Sequence, residues 1–103
     1  MNKELVIKLI ALYEDAIKEV KGMDEVVDMK EYLRKKNLHG GVCRAALENF
    51  DESLYSNEWV KSKRQEGDLF WCIMTSWCYT KPEIIKSLQI RVDILKTFPD
   101  LNN

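Results

Sequence analysis

The chain of 103 residues has little of several features that mark particular protein classes. Its two prolines and four glycines are too few for a disordered or collagen-like chain. Sixteen basic residues against seventeen acidic ones give a net charge of −1, so no overall field attracts the protein to nucleic acid or to an anionic membrane. At this length, 46% hydrophobic and 32% charged residues predict one small domain over residues 1–103.

Long apolar runs are also missing from the sequence. Charges interrupt the apolar residues of segment 1–10 before the core of a signal peptide can form, and no segment reaches the length of a membrane span, about 20 apolar residues. The three cysteines, Cys43, Cys72 and Cys78, are an odd number without a Cys-x-x-Cys pair, which excludes a complete disulfide framework within one chain. We therefore expect free thiols, a cytoplasmic location and no membrane partner.

Apolar residues recur at helical spacing through most of the sequence and predict an all-α fold, a single small domain of four to five helices. The predicted helices are residues 3–21, residues 24–36 with Asp24 as N-cap, one that starts just after Gly41, a short one from Ser56 or Asn57 to Gly67, and one from the capping box Thr80-x-x-Glu83 to Pro99. Residues 69–79 fit a buried helix or an extended segment, and we favour the helix. The predicted core includes Leu9, Ile10, Ala16, Leu47, Phe50, Leu88, Val92 and Leu95.

Apolar surface beyond what a core of this size covers predicts self-association. The first helix carries nine apolar residues spread too widely for one stripe, and the aromatic segment adds more. We expect an intertwined or packed homo-oligomer, most simply a dimer.

Groups for catalysis or metal binding are scarce. His39 is the single histidine, and the sequence contains no nucleophile elbow, metal-protease helix or Walker loop. Zinc could in principle take His39 with the three cysteines, but structural zinc sites hold their ligands in knuckles about two to four residues apart, which these residues do not form. We therefore predict a protein that is not an enzyme, with no cofactor and no metal.

The most informative binding motif is the segment His39-Gly40-Gly41-Val42-Cys43-Arg44. Glycines that lead into a helix leave backbone N–H groups free to face an anion, and Arg44 in the first turn would add a forked donor suited to phosphate. This pattern predicts a phosphate-binding site formed by His39, Gly40, Gly41 and Arg44. The alternative is an ordinary Gly-Gly turn with a surface arginine.

Aromatic residues crowd into the apolar segment, where Phe70, Trp71, Trp77 and Tyr79 fall within ten residues. Indole and phenol rings of this kind are enriched in interfaces and in pockets that stack flat ligands. We predict that Trp71, Trp77 and Tyr79 belong to the ligand site, the alternative being that they fill the core.

Basic residues cluster once more at Lys61, Lys63 and Arg64. Such a block is usually a solvated helix face, and the alternative is a surface that binds another protein. We retain these three residues as a candidate interaction surface.

At Gly41-Val-Cys43-Arg-Ala45 and again at Arg91-Val-Asp-Ile-Leu95 the sequence resembles a group of small helical proteins of tailed bacteriophages. In that group a Gly-hydrophobic-Cys helix start precedes an acidic turn, an aromatic-rich segment and a last helix with an Arg-x-x-hydrophobic-Leu pattern. The likeness spans about residues 38–98. It implies a non-enzymatic accessory protein, in the cytoplasm of an infected bacterial host, that counters host defence by sequestering a phosphorylated nucleotide signal. Two alternatives stay open: an inhibitor that binds a host defence protein, and an assembly helper without a ligand.

Overall fold

A computed structural model of the chain describes residues 3–24, 28–38, 41–50, 80–98 and 101. Across these residues all regular structure is helical, with no strand, which confirms the predicted all-α class. The described helices are α1 (Lys3–Lys21), α2 (Met29–Lys35), α3 (Val42–Phe50) and α4 (Lys81–Leu95). The predicted short helix up to Gly67 and the segment 69–79 lie outside the described residues. The total number of helices, the single domain and the homo-oligomer stay predictions.

Helix α1 contributes more buried residues than any other described helix. Its apolar residues follow at steps of one, three and four and form one broad inward face, so the expectation that they spread too widely for one stripe is wrong. Glu4 at the start and Lys18 and Lys21 at the end complement the helix dipole. The buried residues are Leu5, Val6, Leu9, Ile10, Tyr13, Ala16, Ile17 and Val20. The helix ends in tight turns, in which Gly22 N donates to Glu19 O at 3.1 Å and Met23 N donates to Val20 O at 3.1 Å.

Helix α4 packs antiparallel to α1. Lys81 Nζ at the start of α4 donates to Met23 O just past the end of α1, at 2.8 Å, whereas Lys96 Nζ after α4 lies 3.6 Å from Glu14 Oε2. The predicted capping box is confirmed, because Glu83 N donates to Thr80 Oγ1 at 3.3 Å and Thr80 N donates to Glu83 Oε1 at 3.2 Å. The predicted core residues of these two helices are buried: Leu9, Ile10, Ala16, Leu88, Val92 and Leu95.

Helix α2 is shorter than the pattern predicts, since it begins at Met29 rather than after Asp24. Asp28 is the N-cap, and its Oδ1 accepts from Glu31 N at 3.1 Å. An aspartate that takes this bond favours a helix start directly after itself, so Asp28 caps the helix in place of the predicted Asp24. At the other end Asn37 has a φ of 60°, Asn37 N donates to Arg34 O and Leu38 N donates to Leu33 O at 2.9 Å, which is a Schellman motif.

The inward face of α3 differs from the prediction. Leu47, predicted in the core, is 52% exposed, and Phe50 is only partly buried; the buried residues are instead Val42, Ala45 and Ala46. The face is turned by about one residue, or about 100°, which places two small alanines rather than the leucine against the core. Asn49 fixes this orientation, since its Nδ2 donates to Asn37 O at 3.1 Å and to Ala45 O at 2.8 Å.

Candidate functional site

The predicted phosphate loop is described only in part. Gly41 directly precedes α3, and its carbonyl accepts from Ala45 N at 3.1 Å, which places it at the N-cap position and Arg44 in the first turn. The other predicted ligand and interaction residues lie outside the described residues: His39, Gly40, Trp71, Trp77, Tyr79, Lys61, Lys63 and Arg64. Whether they join Gly41 and Arg44 therefore stays a prediction.

Arg44 is exposed, and its guanidinium is engaged within its own helix. Its Nε donates to Glu48 Oε1 at 2.9 Å, one turn further along. The start of α3 has no acidic residue in its first turn, so the positive end of the helix dipole is not neutralised there. A phosphate at this helix start would, however, have to compete with Glu48 for the arginine.

A larger concave surface lies along the outward side of α4 and reaches the end of α1. This lysine groove has a volume of about 640 Å³ and is open to solvent along its length. Three lysines give it positive charge, and isoleucines and a proline give it an apolar surface. Its lining includes Lys21, Lys81, Pro82, Ile85, Lys86 and Ile90, with Gln89 and Asp93 further along α4.

Two of the three groove lysines keep their charge available. The side chains of Lys21 and Lys86 are exposed and make no ion pair or hydrogen bond with the described part of the chain. Lys81 is half-buried and donates to Met23 O, a neutral acceptor that leaves its charge uncompensated. The first turn of α4 is occupied by its own capping box, so the positive potential of the groove comes from the lysines rather than from free helix N–H groups.

Polar character changes along the groove. Asp93 lies seven residues after Lys86, which is a rise of about 10 Å along the helix. Gln89 Nε2 donates to Asp93 Oδ1 at 2.8 Å and so holds the carboxylate at one place on the helix surface. Half-buried Ile85 lies between Lys81 and Lys86, and half-buried Ile90 lies between Lys86 and Asp93. The groove therefore has a cationic end, an apolar middle and an acceptor end.

A second, smaller cavity of about 140 Å³ lies between α1 and the end of α2. The Tyr32 hydroxyl donates to the Glu19 carboxylate, and Lys36 Nζ lies 3.6 Å from Glu19 Oε2 and 5.8 Å from the centre of the Tyr32 ring. The hydrogen bond from Tyr32, together with Lys36, lowers the pKa of Glu19. Partial burial and the Glu19 carboxylate raise the pKa of Tyr32. These three residues are hydrogen-bonded or paired with one another, so we assign them a structural role: they hold α2 against α1.

A polar group also lies inside the helix pair. Arg91 is fully buried, and its guanidinium carbon lies 6.0 Å from the centre of the Tyr13 ring, within the range of a cation–π contact. Ser87, one turn earlier on α4, is buried as well, and its Oγ has no hydrogen-bond partner among the described residues. These residues face the core rather than the groove.

The groove residues Lys21, Lys86 and Asp93 belong to none of the sequence motifs that predict a binding site. On α4 itself Lys81, Lys86, Gln89 and Asp93 follow one another at steps of five, three and four residues, which places Lys86, Gln89 and Asp93 on one side of the helix. Lys21, however, joins them only when α1 and α4 pack antiparallel. Within the described ranges no helix is long and apolar enough to cross a membrane, and no three side chains are grouped as a metal site.

Comparisons with protein-family models, with curated proteins and with solved structures find no match to this chain.

Proposed function

We propose that the chain is a non-enzymatic accessory protein that binds and sequesters a phosphorylated nucleotide, in the cytoplasm of an infected bacterial host as the resemblance to phage proteins implies. The observation that carries this proposal is the composition of the lysine groove. Lys21, Lys81 and Lys86 supply cationic donors for phosphate, while Ile85 and Ile90 supply apolar surface for a base. A ligand with both a charged and a flat apolar part matches both halves of this surface.

The lysine groove supports phosphate binding better than the start of α3 does. At α3 the arginine already has a carboxylate partner in Glu48, and a phosphate must displace it. In the groove, Lys21 and Lys86 have no counter-ion within the described residues, so a phosphate there restores charge balance without breaking an ion pair. The two places can also be tested separately, because their cations lie on different helices.

The test is calorimetric titration of the full chain with guanosine and adenosine diphosphates. Lys86→Gln removes one groove charge and should weaken binding of the better ligand about fivefold or more. Lys30→Gln is the matched control, because Lys30 is an exposed lysine on α2 outside the groove. Raising the salt concentration should weaken binding to the wild-type chain, since exposed lysine–phosphate contacts are screened. No heat of binding for either nucleotide at millimolar concentration, or equal losses in both variants, would refute the groove as the site.

The alternative function, inhibition of a host defence complex by direct binding, is favoured by a different observation. Leu47 is 52% exposed on α3, three residues after Arg44 and therefore on the same helix face. Arginine is enriched in protein interfaces, and an exposed apolar side chain beside it adds surface that a partner can bury. Under this alternative, Leu47→Asp should abolish co-purification of the partner from host cells. Ile7→Asp, a matched change of an exposed apolar residue on α1, should leave it intact.

A further inference from the structure

Asp93, at the acceptor end of the lysine groove, restricts where the base of a bound nucleotide can lie. Asp93 is exposed and lies in the groove, although a carboxylate repels phosphate. The phosphates of a bound nucleotide therefore belong at the other end, with Lys21, Lys81 and Lys86. This places the base along Ile90 and its edge at Asp93, so the ligand has one orientation in the groove.

The chemistry of Asp93 then restricts which base edge it can bind. A carboxylate accepts hydrogen bonds and donates none, so it requires N–H groups on the ligand. Gln89 Nε2 donates to Oδ1 at 2.8 Å, which fixes the carboxylate and leaves lone pairs on both oxygens. A carboxylate held in this way suits two donors side by side.

Guanine is the common base that presents two adjacent donors, N1–H and the 2-amino group, on one edge. Adenine and cytosine each present an amino group beside a ring acceptor, and uracil presents one N–H between two carbonyls. Opposite a carboxylate, each of these three bases leaves an acceptor facing an acceptor.

We infer that the lysine groove selects guanine nucleotides. The phosphates bind Lys21, Lys81 and Lys86, and the guanine N1–H and 2-amino group donate hydrogen bonds to the Asp93 carboxylate. This inference rests on the proposed nucleotide binding. Lys86 and Asp93 are about two turns apart, a rise of about 10 Å, so the ribose and base can lie between them along Ile90. Lys81 is twelve residues from Asp93, a rise of about 18 Å, so its ammonium group would meet only the terminal phosphate.

Calorimetric titrations with guanosine, adenosine, inosine and xanthosine diphosphates test the assignment. The wild-type chain should bind the guanosine nucleotide about tenfold or more tighter than the adenosine nucleotide. Inosine diphosphate should fall between them, because inosine lacks only the 2-amino group. Asp93→Asn should remove most of the preference for guanosine. It should also improve binding of xanthosine diphosphate, whose 2-carbonyl can accept from the new amide. Asp15→Asn, an exposed carboxylate on α1 outside the groove, is the matched control.

The outcomes separate this inference from the proposed function. Nucleotide binding that depends on Lys86 but is equal for guanosine and adenosine, or a preference that survives Asp93→Asn, overturns the assignment of Asp93 and leaves nucleotide binding in place. Absence of binding by every nucleotide overturns both. Circular dichroism of each variant, expected to match the wild-type spectrum because Asp93 is exposed, excludes misfolding as the cause of a loss.

Discussion

Truncation of Leu88 to alanine tests the packing of α4 against α1. Leu88 is fully buried on the inward face of α4, so the change removes three buried carbon atoms and leaves a cavity between the helices. Changes of this kind cost about 2–5 kcal/mol of unfolding free energy. For a domain with a total stability of about 5–15 kcal/mol, this loss is large enough to move the denaturation midpoint clearly.

Leu47→Ala is the matched control for the same prediction. The side chain removed is identical, but Leu47 is 52% exposed on α3, and alanine is an excellent helix former, so the expected change is within about 0.5 kcal/mol. Urea denaturation followed by circular dichroism measures both variants, and the slope with denaturant should stay that of the wild type. Equal losses from Leu47→Ala and Leu88→Ala would refute the orientation of α3 described above.

The other predictions concern a cap, an ion pair, the glycine motif and the oligomer. Asp28→Ala should lower the stability by about 1 kcal/mol in denaturant titrations, because it removes the N-cap of α2. Asp28→Asn should keep most of the stability, because asparagine is also a good N-cap residue. The lowered pKa of Glu19 means that its stabilising contribution is present at neutral pH and is lost as the pH falls through that pKa, below the ordinary value of 4.5. Melting curves of Glu19→Gln should therefore lose less stability than the wild type between pH 6 and pH 3. If the start of α3 binds the phosphate, Arg44→Ala and Gly41→Val should each weaken nucleotide binding in calorimetry, and an effect of both without an effect of Lys86→Gln would move the site there. Light scattering at tens of micromolar should report a dimer rather than a 12.1 kDa particle.

The sequence predicts a helix end well where the capping residues interact only with each other. The Thr80–Glu83 capping box forms as its spacing predicts, because both partners lie within one turn and need nothing from the rest of the chain. Two aspartates four residues apart, Asp24 and Asp28, are harder to rank, since either can cap a helix. The Schellman motif at the end of α2 has asparagine, Asn37, rather than glycine at its left-handed position, so the sequence lacks the usual signal for it. After glycine, asparagine is among the residues that best tolerate this conformation.

The orientation of α3 could not be predicted from the periodicity of its apolar residues. Two overlapping sets of positions have helical spacing on this segment, one with Leu47 and one with Ala45, and Ala46 belongs to both. Hydrophobicity favours leucine inside, whereas close packing on α1 and the Asn49 hydrogen bonds favour the alanines. The second choice depends on the distance between helices, which no property of the segment itself determines.

The candidate site depends on tertiary structure in the same way. A glycine pair before an arginine is visible as a motif, and the structure does place Gly41 and Arg44 at the start of a helix, but Glu48 one turn away takes the arginine. Lys21 and Lys86 belong to no motif, and neither forms an ion pair with any of the residues that the structure describes. A phosphate gains most where a cation is held near apolar surface without a partner, since no existing ion pair must be broken. That condition is a property of how α1 meets α4, and it is the reason we propose the lysine groove, rather than the glycine motif, as the place for an anionic ligand.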